Sequence, residues 1–296
     1  MDWNKLKIFH VVAEAGSFTH AGETLGLSQS AISRQISGLE SELGISLFHR
    51  HARGLELTEQ GETLFRSAHD VSAKLAMTEA ILSDTRDKAG GHLKITTTVA
   101  FGSNWLTPRI GEFLRHYPDM TVDLKLDDRL LDLGMREADI AIRMQQSTHS
   151  DLVQRKLLTV HNHLYASTNY LEAHGTPEKI EDLSRHRFIA YGEDAAPPVR
   201  DINWLLEMGK KSGIDIKPVL HINNIYGLML AVESGLGIAT LPDYMTQSNR
   251  RVVQVLPDVA GRAYEAYFVY PDELRKSKKT AVFRDFLLNE IAGWRF

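Results

Sequence analysis

A chain of 296 residues is too long for one ordinary hydrophobic core and predicts two or three units of common size. Its 43% hydrophobic and 24% charged residues describe an ordinary soluble globular protein, and the lack of cysteine excludes disulfides, thiolate metal sites and thiol redox sensing. No basic-then-apolar leader follows Met1-Asp2-Trp3, and the longest apolar runs, such as Leu228 to Val232, fall far short of a membrane span. A cytoplasmic protein with no membrane partner is expected.

Leu6, Phe9, Val12 and Ala13 recur at helical spacing, and Gly16-Ser17 ends that helix and offers a cap to the next. A second helix is predicted over Phe18 to Leu25. After Gly26-Leu27, Ser28 caps a third, whose apolar positions Ala31, Ile32, Ile36, Leu39 and Leu43 form a stripe expected to be buried. Leu47-Phe48 and Leu55-Glu56-Leu57 flank a basic turn containing glycine, which reads as a short hairpin, a wing. From Thr58, a predicted N-cap, to about Asp87, Leu64, Ala68, Val71, Leu75, Thr78 and Leu82 are spaced four and three apart. That spacing is a heptad seam on a helix of about 45 Å, and it predicts self-pairing through Leu64, Ala68, Val71, Leu75 and Leu82.

Lys88-Ala89-Gly90-Gly91 marks a linker. Beyond it strands and helices alternate: Leu93 to Thr98, Trp105 to His116, Val122 to Leu126, Leu133 to Glu137 with Asp132 as its cap, then Ile140 to Arg143. A second such unit runs from about His161 through Arg187 to Tyr191, Val219 to Ile222 and Gly237 to Leu241. Ala266 to Val269 and a last helix from Thr280 to Trp294 follow. Alternation of this kind predicts an α/β fold with a mostly parallel sheet, in two lobes with a ligand crevice between them. The expected domains are residues 1–58, 59–89 and 90–296, the last split into lobe I (about 90–160 and 267–296) and lobe II (about 161–266).

A DNA-reading helix needs one apolar face to lock against its neighbour and one small polar face to enter the major groove. The third helix has both. Ser28, Gln29, Ser30, Ser33, Arg34 and Ser37 make the polar face, where Gln29 can pair with adenine and Arg34 with guanine or a phosphate. Charge alone does not suggest nucleic acid: the chain carries a formal -4, and in residues 1–60 seven acidic residues outnumber five basic ones. The basic groups concentrate in Arg34 and in His49 to Arg53, so Arg50 and Arg53 of the wing join the candidate DNA contacts.

Ala13 to Leu25, Leu27 to Ile36, Leu39 to Arg50 and Leu57 to Gly61 closely resemble the signature of LysR-type transcriptional regulators, and the match extends more loosely to the C-terminus. Asp139 to Arg143 and Val232 to Pro242 are similar to recurring segments of that family's effector domain. The segment Phe48-His-Arg-His-Ala-Arg-Gly-Leu55 also resembles a subgroup of alphaproteobacterial regulators linked to symbiosis and virulence. Where members of that subgroup sense oxidants through cysteine, this chain has none. The resemblance implies a winged helix-turn-helix, a dimerisation helix and an effector domain like the type 2 periplasmic binding proteins. It further implies a homodimer or homotetramer on promoter DNA carrying an interrupted inverted repeat, contact with RNA polymerase, self-regulation and effector-dependent activation or repression. Gly22 and Gly26 depart from the pattern, where larger residues are commoner, and predict a loosening of up to about 1 kcal/mol per glycine in a helix interior.

Within the effector half, Thr96 to Asn104 ends a strand and opens a helix. Hydroxyls and free N–H groups there suit an anion, so Thr97, Thr98, Phe101 and Ser103 are candidates. Asp128 closes the next strand, Asn223 and Asn224 follow a strand of the other lobe, and Arg143 or His161 supplies positive charge. The expected effector is a small organic anion or an amino-acid-like molecule. His161 and His163 share a strand face but lack a third ligand, so no metal is expected. Gly235-Leu-Gly237 lacks the third glycine of a dinucleotide loop and follows a helix, so no cofactor is expected. An enzyme is disfavoured by the lack of a Gly-x-Ser-x-Gly elbow, phosphate loop or cysteine nucleophile. A solute-binding protein is disfavoured by the N-terminal helix-turn-helix.

Overall fold

The structure is a computed structural model describing residues 2–51, 54–83, 90–192, 197–247, 249–259 and 261–294. The chain divides into two compact units, one made by Met1–Ser83 and Gly134–Arg136 and one made by Asp84–Leu133 and Glu137–Phe296.

The first unit contains α1 (Trp3–Ala15), α2 (Phe18–Leu25), α3 (Gln29–Leu43), β1 (Phe48–His51), β2 (Gly54–Leu57) and α4 (Glu59–Ser83). Short polar side chains start each helix. Asp2 accepts from Asn4 N, Ser17 from Thr19 N, Ser28 from Ala31 N, and Thr58 Oγ1 from Gly61 N. Thr58 also donates to the Ser46 carbonyl at 2.8 Å, which ties the wing to the start of α4. The core gathers Leu6, Phe9 and Val12 of α1 with Ile32, Ile36 and Leu39 of α3, closed by Leu47 and Phe48. Leu43 departs from the expected stripe: at the last turn of α3, beside the Gly44 cap, it is 38% exposed.

The α4 seam is divided. Leu64 packs against the core of its own unit and Ala68 is buried in it, whereas Val71 and Leu75 are 44% and 45% exposed. The first heptad step is therefore spent internally, because α4 lies along α1 there. The side chain of Leu82 and the expected helix end at Asp87 lie outside the described residues.

Gly22 and Gly26 do not loosen the motif. Gly26 has φ 64°, a left-handed cap that donates its N–H to the Gly22 carbonyl and turns the chain toward α3. A Cβ on Gly22 would lie 2.6 Å from the Leu27 carbonyl oxygen. In an open helix Gly→Ala gains about 1 kcal/mol, but here the backbone must move, and overpacking of this kind costs about 1–3 kcal/mol. Gly22→Ala is expected to lower the urea midpoint of the N-terminal unit's transition. An unchanged or raised midpoint would show that the turn yields freely.

The second unit opens with β3 (Gly91–Thr97), α5 (Val99–Phe101), a π-helical turn Gly102–Leu106 and α6 (Thr107–His116), followed by β4 (Met120–Leu126) and β5 (Ile140–Arg143). Then come β6 (Leu152–Ser167), α7 (Thr168–His174), β7 (Phe188–Tyr191), α8 (Trp204–Ser212), β8 (Pro218–Ile222), α9 (Ile225–Glu233), β9 (Ala239–Pro242), β10 (Val252–Val255), β11 (Arg262–Pro271) and α10 (Lys278–Ala292). The main sheet runs β10-β6-β11-β5-β3-β4, with β9 also on β6, and β7 pairs with β8 separately.

Three expectations need correction. Among the described strands β3 pairs with β4 and β5, and β7 with β8, in parallel, while every pairing of β6 and β11 is antiparallel. These two long strands run through both lobes rather than closing separate βαβ sheets. The first helical stretch begins at Val99, six residues before Trp105, because Thr98 caps it. Residues 133–137 form turns rather than a helix, so Asp132 caps none.

Where β11 crosses between lobes its register on β6 slips, from Ala266 opposite Leu158 to Tyr267 opposite Lys156. A bulge there bends both strands. One lobe packs Phe113, Phe268 and Phe283 together, with Phe113 edge-on to Phe283 at 5.2 Å. The other is built on Leu164, Tyr170, Phe188, Trp204, Leu205 and Ile238.

Candidate nucleic-acid interface and effector cleft

Helix α3 presents its apolar side, Ile32, Ile36 and Leu39, to the core with no exposure. The opposite side carries Gln29, Ser30, Arg34 and Ser37 in solvent, with Ser33 half-buried. Ser28 is committed as the cap, its hydroxyl accepting from Ala31 N at 3.2 Å and lying 3.1 Å from the Ser30 hydroxyl. Arg34 Nε donates back to the Ser30 carbonyl at 3.3 Å, which lays the guanidinium along the face. Lys5 of α1 pairs with Glu42 of α3, clamping the helix that would enter a groove. In the wing, Arg50 stands opposite Leu55 in the hairpin ladder; its side chain and Arg53 lie outside the described residues.

In the second unit two adjoining recesses of about 300 and 320 Å³ share Thr98, Met144 and Pro198. The first sets the polar groups of Thr97, Asp127, Asp128 and Arg143 among Leu130, Leu131 and Ile142. The second is largely apolar, lined by Val160, Val199, Ile225, Pro242, Tyr244 and Tyr264, with Asn162 among them. Together they form a cleft with a charged end and a greasy end.

The helix start at Val99 is already neutralised by the chain itself. Asp128 Oδ1 accepts from Val99 N at 3.0 Å and Thr98 Oγ1 from Phe101 N at 3.4 Å. The expected anion seat there holds a protein carboxylate. Asp128 Oδ2 in turn accepts from Asn224 Nδ2 at 3.3 Å, while Asn224 Oδ1 caps α9 by accepting from Gly227 N at 3.0 Å. One carboxylate thus ties the start of a helix in one lobe to the start of a helix in the other. Burial raises the Asp128 pKa, the Val99 N–H opposes that, and neighbouring Asp127 adds to it. Asp127 goes the other way, held down by its hydrogen bonds from Arg129, whose guanidinium reaches both carboxylate oxygens.

Arg143 is buried at the polar end and donates to the Leu131 carbonyl at 2.7 Å. Desolvation lowers its pKa, partly offset by Asp132. It is a charged donor in a dry setting, where an anionic partner gains most. Thr97 lines the same end, though its hydroxyl is spent on the Ile142 carbonyl at 3.0 Å.

Other candidates do not meet here. Phe101 is fully buried, stacked on Trp105 at 5.0 Å and edge-on to Tyr244 at 5.5 Å, so it shapes the wall from behind. Ser103 falls in the π-helical turn and Asn223 is exposed, and neither lines the cleft. His161 is exposed, because on β6 the even positions Leu158, Val160 and Asn162 face inward and the odd ones outward. His163 shares its side and is held by Asp243 at 2.8 Å.

Asn162 is the residue the sequence reading passed over. It is buried, its side-chain oxygen has no hydrogen-bond partner, and the Tyr264 hydroxyl is buried beside it. The His161-Asn162-His163 alternation sets Asn162 on the face opposite the two histidines, and nothing local marks that face as the cleft side.

Comparison with known proteins gives this geometry its context. Residues 3–62 match the bacterial regulatory helix-turn-helix protein, lysR family, and residues 86–292 match the LysR substrate binding domain. An HTH-type transcriptional regulator of Xanthomonas campestris is 30% identical over 98% of this chain and 86% of its own length. The regulator CrgA of Neisseria meningitidis is 28% identical over 98% of this chain and 97% of its own. Among solved structures, the Vibrio cholerae virulence activator AphB superposes with a TM-score of 0.62 at 26% identity, covering 98% of this chain and 99% of that one. The CrgA structure gives 0.60 at 26%, covering 99% and 100%. Both families and each of these relatives are regulators rather than enzymes. The chain belongs to the LysR family of DNA-binding transcription regulators, with an N-terminal helix-turn-helix and a two-lobed effector-binding domain.

Proposed function

We propose that this regulator is switched by a small carboxylate with an apolar body and a hydrogen-bond donor, an amino-acid-like effector, held in the cleft between the lobes. The carrying observation is the neighbouring pair Asn162 and Tyr264, whose side-chain oxygens are buried without hydrogen-bond partners on a largely apolar wall, each costing about 1–3 kcal/mol unless a ligand polar group meets it. Arg143 receives the carboxylate at the polar end, and Asp128 favours a ligand that also carries an amino group. A thermal-shift screen of amino acids and small carboxylates tests this. An effector at a hundred times its Kd stabilises by about 2.7 kcal/mol, so a rise of several degrees is expected for at least one amino-acid-like carboxylate. Shifts confined to cationic or uncharged compounds would contradict the reading.

The DNA contacts we infer are Gln29, Ser30, Ser33, Arg34 and Ser37 of α3 with Ser28 at its start, and Arg50 and Arg53 of the wing, acting on promoter DNA with an interrupted inverted repeat. Residues 1–58 would form the reading head, 59–89 the linker helix and 90–296 the effector domain, with lobes meeting near 160 and 266. A homodimer or tetramer working in the cytoplasm beside RNA polymerase fits this division. The narrower alphaproteobacterial affinity rests on residues 48–55 alone, and the relatives from Xanthomonas and Neisseria lend it no support.

Val71 and Leu75, exposed one turn apart on α4, are the pairing surface this reading requires. Val71→Glu with Leu75→Glu should convert the full chain to a smaller species by light scattering at micromolar concentration. An unchanged mass would remove this stretch of α4 from the interface.

A further inference from the structure

We propose that His10, Glu14 and His69 form a binding site for a divalent transition-metal ion, with Zn2+ the best match, that pins the linker helix α4 to α1 of the reading head. His10 and Glu14 lie four residues apart, one turn along a single face of α1. His69 meets them from α4, where the two helices pack.

One ligand atom from each of the three residues lies within 4.8 Å of the others. His10 Nε2 is 2.6 Å from His69 Nδ1, and the Glu14 carboxylate oxygens lie 3.7 Å from His10 Nδ1 and 3.8 Å from His69 Nδ1. Two imidazole lone pairs cannot face each other at such a distance. One ring therefore donates its N–H to the lone pair of the other, which two neutral imidazoles can do, and a metal ion can take the place of that shared proton. Zinc–nitrogen bonds of about 2.0–2.1 Å at a tetrahedral angle set the two nitrogens about 3.3 Å apart, so exchanging the proton for the metal opens the pair by less than an ångström, roughly 0.7 Å. Glu14 is half exposed and can swing inward without disturbing the core.

The surroundings suit a built site rather than a chance pairing. The Phe65 ring lies nearly parallel to His10 with centroids 5.3 Å apart, and stands 5.6 Å from His69, so an apolar wall fixes both ligands. His10 is buried, so packing holds its ring in place. Two imidazoles and a carboxylate are a zinc-type donor set with a fourth position left for water, and with no thiolate in the chain they do not favour softer ions. His69 follows Ala68, the last buried residue described on α4, and precedes the exposed Val71 and Leu75. The ion would act where α4 passes from the unit's core to the exposed seam.

The test is calorimetric titration of the chelator-stripped full chain with Zn2+ alone, alongside His69→Ala, Glu14→Gln and, as a control, His161→Ala, which removes an exposed histidine elsewhere. The wild-type and control proteins should bind one more equivalent of zinc per chain than His69→Ala. They should also show a zinc-dependent rise in melting temperature that His69→Ala lacks and Glu14→Gln shows in weakened form. Melting curves without zinc, expected to agree between wild type and Glu14→Gln, separate lost binding from lost folding. Equal stoichiometry and equal zinc-dependent stabilisation in wild type, His69→Ala and Glu14→Gln would place the bound metal on other histidines and overturn the assignment.

Discussion

Arg34→Ala is expected to weaken binding to a mapped operator by about 5- to 150-fold, the equivalent of about 1–3 kcal/mol, while binding to unrelated DNA changes little. The side chain is exposed on a face otherwise made of Gln29, Ser30 and Ser37, small or neutral groups that let the helix approach base edges. Its bond to the Ser30 carbonyl and the Lys5–Glu42 clamp hold it in a defined direction. The first unit's core is untouched, since Ile32, Ile36 and Leu39 face the other way, so the fold should survive. Fluorescence anisotropy over a salt series decides the role. A guanine contact lowers specific affinity alone, whereas a phosphate contact lowers both affinities and reduces the salt slope by about 1.

Asn162→Leu is expected to abolish the effector response, or to lower effector affinity at least tenfold, with basal operator binding retained. The substitution removes an acceptor that has no partner in the free protein but would have one in the complex. The free variant should therefore be at least as stable as the wild type, while the ligand's donor is left unmatched. This position separates binding from folding better than Thr98 or Asn224, whose side chains also cap α5 and α9. Calorimetry with an effector from the thermal-shift screen checks it, and undiminished affinity in Asn162→Leu would move the ligand elsewhere. For switching to follow, the effector must favour one lobe arrangement over another, and the Asp128–Asn224 bond is a contact such a ligand can replace.

The first unit was largely legible because its signals are local. Gly16-Ser17, Gly26 with Ser28, and Thr58 each place a cap within a few residues of the helix it limits, and α2 falls on Phe18–Leu25 as the pattern predicts. The constraint on Gly22 is a carbonyl five residues on, beyond what helix propensity weighs. In the second unit the alternation located most strands, though not β10 or the first half of β6, and it did not give their direction. Whether β6 and β11 run parallel or antiparallel to their neighbours depends on how the chain is routed between lobes. The β-branched run ends the strand at Thr98 as the pattern predicts, but the helix that follows begins at Val99 rather than Trp105, fixed there by the Thr98 and Asp128 bonds. On β6 the period of two was correct, but nothing local tells which side is the cleft, so His161 was chosen over Asn162. The pairing of His10 and Glu14 with His69 spans most of the unit's length and comes from packing of α1 on α4, beyond any local pattern.

The most direct measurement is selection of genomic DNA fragments by the full-length protein, followed by affinity titration of the enriched fragments against scrambled controls at physiological salt. A sequence-reading regulator should enrich fragments that share an interrupted inverted repeat and bind them about 10³-fold or more tightly than the controls. Recovery of fragments with no shared sequence, bound no better than scrambled DNA, would contradict it.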